Sequence, residues 1–309
     1  MKKLSEMRVA HPALSMSALL GLTLVAIQAS SQQPACDRDC LIDLSRQYLD
    51  ALVEQDPSGL PWADRVGHTE NDVGLQIGEG LWGTTTAIGQ GFTVADPETG
   101  NVVWLGIVEE HGQPAYLGLR LAVEGNGIAE VETVAGREGP PAPFAPTEGY
   151  RVDRRFAQSL PPDQRLPRAR MIALVEGYYN TMQLNDGKVF TDIAADCSRV
   201  TNGESTTHGG DIEGCRQQFE AGWYRPVDRV RARRFPIVDQ ERGIVVALAF
   251  LDHAARYVDY ETLDGRARRI ALEYPNSHGL LELFKIEAGE ITRVEGVTSF
   301  QPYLMPSRW

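Results

Sequence analysis

The sequence predicts an α+β protein in which one unit, a helix followed by antiparallel strands, is built twice. Three observations carry this. Val94–Gly106 aligns without gaps on Ile237–Ala249, with Asp, Glu, Gly, two Val and Leu recurring in place, and Gly127–Val134 aligns in the same way on Glu290–Val297. Upstream of each match, apolar residues recur at three- and four-residue steps, the spacing of one helix face: Leu41, Leu44, Tyr48 and Leu52, then Met171, Leu174 or Val175, Tyr178 and Met182. The remaining apolar runs are short and are separated by Asp, Asn, Gly and Pro clusters, the punctuation of strands and turns. At 309 residues, 42% hydrophobic and 23% charged, the chain has material for two cores of about 100–150 residues each.

Taken in order, the chain opens with Lys2, Lys3 and Arg8 ahead of an apolar run from Ala18 to Ile27, followed by Gln28, Ala29, Ser30 and Ser31. This predicts a secretory signal peptide over residues 1–31 and a mature protein in the periplasm or outside the cell. The run falls well short of the ~20 residues that cross a bilayer, and no later run is longer, so no membrane partner is expected once the leader is cleaved. Gln33, Pro34 and Ala35 before Cys36 do not form a lipidation signal. With 30 Lys and Arg against 42 Asp and Glu the formal charge is −12, and cleavage, which removes Lys2, Lys3, Arg8 and Glu6, takes it to −14. A field of that sign repels phosphate backbones, so nucleic acid is not a partner.

Export permits disulfides, and the four cysteines fall as two local pairs, Cys36 with Cys40 and Cys197 with Cys215. Three pairings are open; the local one is expected because Cys197 and Cys215 bracket a Gly- and Thr-rich loop, Gly203 to Gly214, whose closure contributes about 3 kcal/mol. The spacing lacks the ligand pairs of a zinc site, and no metal is expected.

The first domain is placed at 36–136. Its helix stops at Gln55–Gly59, and strands follow at Val102–Val108, Tyr116–Val123 and Ile128–Val134, with a hairpin turn at Asp96–Gly100. Residues 137–166 form a linker; the stretch from Gly136 to Pro167 carries seven prolines, and Val152–Leu160 is read as an arm. The second domain, 167–300, repeats the plan. Its helix stops at Asn185–Gly187, its hairpin turn is Asp239–Gly243, and its strands are Ile244–Leu251, Gly279–Ile286 and Ile291–Val297. Tyr48–Asp56 corresponds to Tyr178–Asp186 and Thr69–Asn71 to Thr201–Gly203, so order and spacing are read as kept. The tail, residues 301–309, is rich in large apolar side chains and is expected to dock on something.

The leading amphipathic helix, the Thr69-Glu70-Asn71 hairpin, the Gly78–Gly83 turn, the Asp-x-x-x-Gly hairpin and the closing strand from Gly127 to Glu132 resemble the nuclear-transport-factor-2-like (SnoaL-like) superfamily, in both copies. The resemblance implies a cone-shaped, strongly curved sheet packed on helices around an apolar pocket, and two such units joined through their sheets as an internal pseudo-dimer, a homo-oligomer being compatible with it. It further implies a small hydrophobic or aromatic ligand and, in members that are enzymes, acid-base chemistry without a cofactor. An Asp, Glu or His desolvated in such a pocket titrates nearer neutrality and can move a proton.

Candidate residues follow. In the first copy His68 and Glu70, two apart on a strand, share a face and could act as a base and its neighbour, or could look at water from a hairpin edge. Tyr48 and Tyr178 at matched helix positions, with Trp82 and Trp104, are pocket-wall or core residues; Trp104 corresponds to Ala247, which predicts differently shaped interiors. The second copy is richer in ionisable and aromatic groups: His208 and Asp211 in the cysteine-bracketed loop, then Tyr257, Tyr260, Tyr274 and His278, of which Tyr257 and His278 are assigned to ligand binding. Asp252 beside His253 is the catalytic pair to test first, because a carboxylate can orient an imidazole. Glu282, inside an apolar strand, is the third candidate. Glu132 and Glu295 recur at matched positions and are read as a shared structural contact. No nucleophile elbow, phosphate loop, zinc helix or dinucleotide fingerprint occurs. The expected activity is that of an exported lyase, dehydratase or isomerase; the alternative is a ligand-binding or assembly module without chemistry.

Overall fold

The computed structural model describes residues 36–139, 143–208, 213–270 and 272–309; the expected leader, Pro140, Pro141 and Asp211 lie outside them. The first half begins with α1 (Arg38–Glu54), whose N-terminus is capped by the Asp37 carboxylate accepting from the Cys40 N–H and whose C-terminus turns at Gln55 in the left-handed region. Then come β1 (Trp62–Glu70), β2 (Val73–Gly74), the one-turn α2 (Leu81–Thr84), β3 (Thr85–Asp96), β4 (Asn101–Glu110), β5 (Gln113–Glu124) and β6 (Gly127–Arg137). The second half repeats them as α3 (Arg168–Leu184), β7 (Ile193–Thr201), β8 (Glu204–Ser205), α4 (Gly214–Glu220), β9 (Arg229–Asp239) and β10 (Ile244–His253). An added hairpin, β11 (Asp259–Glu261) and β12 (Ala267–Arg269), precedes β13 (Asn276–Glu287) and β14 (Glu290–Pro302).

The two six-stranded sheets have the same order, β2-β1-β6-β5-β4-β3 and β8-β7-β14-β13-β10-β9. The fold class is the expected one: α+β, two curved sheets in tandem, each wrapped around its helix. One detail differs. β1 runs parallel to β6 and β7 parallel to β14, so the sheets are mixed rather than purely antiparallel. Each of these strands reaches the sheet from the helix and not through a hairpin, which leaves its direction free of the antiparallel rule.

Strand register corrects two points of the internal alignment. Thr69 pairs with Glu132 and Val200 with Glu295, so Asn71 corresponds to Asn202 and not to Gly203. Both asparagines have positive φ and clamp the last strand, Asn71 through the N–H and C=O of Ala135 and Asn202 through those of Thr298. Order is kept but spacing is not: β4 and β5 are joined by His111 and Gly112 alone, whereas β10 and β13 are joined by residues 254–275.

Strand alternation sends one face of each sheet to its own helix and the other to the opposite sheet. The first helix-side core gathers Leu41, Tyr48, Leu52, Trp82, Trp104 and Leu119; the second gathers Met171, Tyr178, Tyr179, Val245, Ala247 and Phe284. Between the sheets lie Val103, Leu105, Val246, Leu281, Leu283 and Val297. Gly118, the register equivalent of Leu281, leaves the space that the Leu281 side chain fills. The linker is not a free tether. Phe144, Tyr150, Val152 and the fully buried Phe156 pack against the inter-sheet core. The tail docks on the first sheet, with Trp309 over Gly67, its indole N–H donating to Thr69 Oγ1 at 2.9 Å and the Arg120 guanidinium over its ring.

Glu132 and Glu295 both face the inter-sheet space, each satisfied differently. Glu132 is held by Arg120 at 2.7 Å and by Arg234 of the other half. Glu295 accepts from the Tyr150 hydroxyl at 2.6 Å and the Asp153 N–H at 3.1 Å. Burial pushes its carboxyl up to about 6, against those two hydrogen bonds. A carboxyl raised above its unfolded value makes its contribution to stability below the unfolded pKa, and that contribution is lost as pH rises to the folded one; here the loss is about 2 kcal/mol between about pH 4.5 and 6. Glu295→Gln, which keeps an acceptor and cannot ionise, is therefore expected to be about 2 kcal/mol more stable than wild type near pH 7 and equal to it near pH 4 in denaturant titrations. A difference that does not change with pH would disprove the titration.

Candidate functional site

A cavity of about 700 Å³ opens between the second sheet, α4 and the 254–275 insertion. Four strands supply its floor and walls by alternation: Arg199 and Thr201 from β7, Leu251 and His253 from β10, His278, Leu280 and Glu282 from β13, and Thr298 from β14. Met182, Trp223, Val227 and Leu280 make an apolar lining, and Gln218 and Tyr224 add polar groups from α4 and the turn after it. The insertion is the roof. Tyr260, Arg268, Ile270 and Leu272 line the cavity, and the insertion is pinned by the Tyr260 hydroxyl donating to the Trp223 carbonyl at 2.8 Å and the Leu263 N–H to the Ala221 carbonyl at 2.9 Å.

Both expected disulfides are present, Cys36–Cys40 and Cys197–Cys215. The second ties β7 to α4. Arg199 lies two residues beyond Cys197 on the same strand face, and Gln218 lies one helical turn beyond Cys215, so the bond fixes the two elements that carry them. Arg199 is 7% exposed and donates from Nε to Thr206 Oγ1 at 2.8 Å, from one Nη to the Tyr178 hydroxyl at 3.0 Å and from the other to Gln218 Oε1 at 3.1 Å. The Tyr224 hydroxyl donates to the same Gln218 oxygen at 2.8 Å.

Glu282 is buried and accepts from the Tyr179 hydroxyl at 2.7 Å. Burial pushes its carboxyl up, against the pull of the Tyr179 hydroxyl and the Arg199 charge. His253 and His278 sit diagonally across β10 and β13 with ring centroids 4.4 Å apart. His253 Nδ1 and His278 Nε2 have no hydrogen-bond partner. Burial holds His253 down to about 4, opposed chiefly by the Asp228 charge, and holds His278 well below the usual imidazole value, with His253 adding to the effect. Both rings are therefore neutral bases at physiological pH. Among the described residues no group of three or more His, Cys, Asp or Glu could hold a metal ion.

The sequence-derived candidates divide accordingly. His253, His278 and Glu282 meet in the cavity. Asp252 does not: neighbours on a strand point to opposite faces, and its carboxylate, fully buried, bonds Arg231 at 2.7 Å and Ser277 Oγ at 2.6 Å on the far side of the sheet. The Asp252–His253 pair is thus not a dyad. Tyr178 lies behind the wall, where its hydroxyl accepts from Arg199, while its neighbour Tyr179 reaches Glu282. Tyr257 is partly exposed beneath Arg225 and does not line the cavity. His208 is at the rim, bonded to Thr207 Oγ1 at 3.1 Å.

The first half does not assemble the same groups. Its register places Leu119 where the second half has Glu282, Ala115 for His278, Glu110 for His253 and His68 for Arg199. Trp104, at the Ala247 position, lies across Gly91 and Gly106 and fills the interior with Trp82 and Tyr48, whose rings meet edge-on at 5.1 Å. His68 Nδ1 is 3.1 Å from the Gln76 carbonyl, and Glu70 accepts from the Leu81 N–H at 2.8 Å while pairing with Arg137 at 2.7 Å. Their hydrogen bonds brace β1 and α2.

Arg199, Gln218, Tyr179, Trp223 and Tyr224 escaped the sequence reading. Two signals pointed to them: the positions of Arg199 and Gln218 just past the paired cysteines, and the extra chain length between Leu251 and Gly279, which has no counterpart between Val108 and Tyr116.

A family model described as a domain of unknown function (DUF8021) matches residues 164–298, the stretch that carries the cavity. No curated protein matches the chain. Solved structures with a similar half-chain include AusH from Aspergillus nidulans (10% identity, 43% of this chain and 86% of that one, TM-score 0.29). A protein with a cystatin-like fold from Caulobacter vibrioides is also similar (16%, 42% and 88%, 0.27). So is a phenazine biosynthesis-related protein from Pseudomonas aeruginosa (10%, 43% and 76%, 0.27). Each similarity spans less than half of this chain, and the fold assignment stands on the strand order described above. Two disulfides are present and no described helix is long and apolar enough to cross a membrane, features compatible with export.

Proposed function

We propose that the chain is an exported, cofactor-independent lyase, dehydratase or isomerase that moves protons on a small hydrophobic or aromatic molecule held in the second half. One observation carries this reading: a buried carboxyl and two uncharged imidazoles with unpartnered ring nitrogens line one cavity of mixed apolar and polar lining. A neutral imidazole, His253 or His278, takes a proton from carbon. Glu282, kept protonated more readily by burial, returns one, either to a departing hydroxyl, which leaves as water, or to another carbon of the resulting enolate, which isomerises the substrate. Arg199, with two N–H groups that no described protein atom takes, is the donor available to negative charge developing on the substrate. The first half, its interior filled by Trp104, serves as scaffold.

The test is a panel of cyclic ketones, β-hydroxy ketones and aromatic polyols followed by NMR in heavy water, reading loss of water and exchange of C–H for deuterium. Wild type is expected to turn over members of the panel, and Glu282→Gln to lower kcat/KM by about 10²–10⁴. Equal rates in the two proteins would remove Glu282 from the chemistry. Binding without any exchange or turnover would favour the second reading, a module that only holds its ligand.

A further inference from the structure

Arg199 is a buried cation in the cavity wall that no described carboxylate pairs. Arg199 lines the cavity and is more than nine-tenths buried, yet its three hydrogen-bond partners, Thr206, Tyr178 and Gln218, are all neutral. No carboxylate among the described residues lies within ion-pair distance of it; the acid whose charge acts on it is Glu282, engaged by Tyr179, and Glu204 also lines the cavity without pairing with it. A guanidinium has five N–H donors in a planar fork, of which protein atoms take three. A cation removed from water without a counter-charge costs several kcal/mol unless something supplies one. The cost is sustained here by a rigid frame: the Cys197–Cys215 bond holds β7 against α4, Gln218 fixes one arm of the fork, and the Tyr224 ring lies under it with the guanidinium carbon 5.1 Å from its centroid. Such pre-ordering of a buried fork is what recognition of a planar carboxylate requires. The register equivalent in the first half is His68, bonded to a backbone carbonyl, so the fold itself does not demand an arginine at this place.

We propose that Arg199 anchors a carboxylate on the ligand, and that the cavity therefore takes small aromatic or alicyclic carboxylic acids, with the ring body against Leu251, Leu280 and Val227. The inference rests on the reading above only for the location of the ligand and makes no use of turnover.

The test is equilibrium binding to the full chain by calorimetry, comparing 2-naphthoate with its neutral near-isostere 2-naphthamide. The naphthoate is expected to bind at least about tenfold more tightly. Arg199→Met is expected to abolish that preference, whereas Arg199→Lys, which keeps the charge and loses the fork, retains part of it. Near-UV circular dichroism establishes that the variants are folded; should Arg199→Met not fold, the Arg199→Lys comparison alone decides, through a reduced preference. Equal binding of acid and amide to wild type, binding of neither, or a preference unchanged in both variants would overturn the proposal. Failure of Glu282→Gln to affect turnover would leave it standing, because the two experiments read different groups.

Discussion

Asp239→Ala is expected to lower the unfolding free energy by about 3 kcal/mol, and Asp96→Ala by a similar amount. The two aspartates occupy the same position in the two halves, at the start of the β9–β10 and β3–β4 turns, and each is reached by the arginine that opens the helix of the other half. Arg38 of α1 bonds Asp239 at 2.8 Å, and Arg168 of α3 bonds Asp96 at 2.6 Å. Asp239 also takes Arg242 at 2.7 Å and its N–H at 3.1 Å. Burial pushes the Asp239 carboxyl up, but the Arg242 N–H and the Arg242 and Arg38 guanidiniums outweigh it and hold the group below the usual carboxylate range. Asp96 accepts the Val238 N–H from the opposite sheet at 2.9 Å. Deleting Asp239 leaves the Arg38 and Arg242 guanidiniums without their shared counter-charge, and deleting Asp96 leaves Arg168 with only the exposed Glu98 at 3.7 Å; breaking such a pair costs about 3–5 kcal/mol at fully buried sites. The one-third exposure of the Arg38 side chain places the effect at the low end. Denaturant titration should show a lower midpoint with an unchanged slope. Asp239→Asn, which keeps hydrogen bonding and removes charge, should recover less than half. A loss below about 1 kcal/mol would mean that these pairs behave as screened surface contacts.

Trp104→Ala is expected to cost about 3–5 kcal/mol and to open a hollow in the first half. The indole lies across Gly91 and Gly106, two positions where a Cβ would collide with it, so neither of these positions offers a side chain that could move into the space. Leu119 and Leu117 on the adjoining strand would line a dry, apolar cavity. Free indole should occupy it, and an excess of ligand over its dissociation constant should return about 2–3 kcal/mol of the loss. The same ligand should not stabilise wild type by way of this site. A variant that loses little stability, or that indole fails to rescue, would show that the interior of the first half collapses or was never filled by Trp104.

The frame was legible because it depends on short-range pattern. Three- and four-residue apolar steps gave α1 and α3, the Asp-to-Gly turns gave the hairpins at residues 96–100 and 239–243, and the local cysteine spacing gave both disulfides. The asparagine clamps were misaligned by one position because nothing local distinguishes Asn202 from Gly203 as the partner of Asn71; only the pairing of Thr69 with Glu132 and of Val200 with Glu295 does. The site was half legible for the same reason. His253, His278 and Glu282 stand out as ionisable groups in apolar strands, but Arg199 and Gln218 sit among polar neighbours, and their burial is set by elements distant in sequence.

The amino-acid sequence by itself determined that a helix-and-strand unit is repeated and which cysteines bond, because repeats, periodicity and short loops are properties of neighbouring residues. Only the tertiary structure decided which of the two interiors is hollow and which side chains meet there. Strand alternation has a period of two, so a single-residue step carries Asp252 to the far face and His253 into the cavity, and Arg199, His253, His278 and Glu282 converge because sheet order places β7, β14, β13 and β10 side by side.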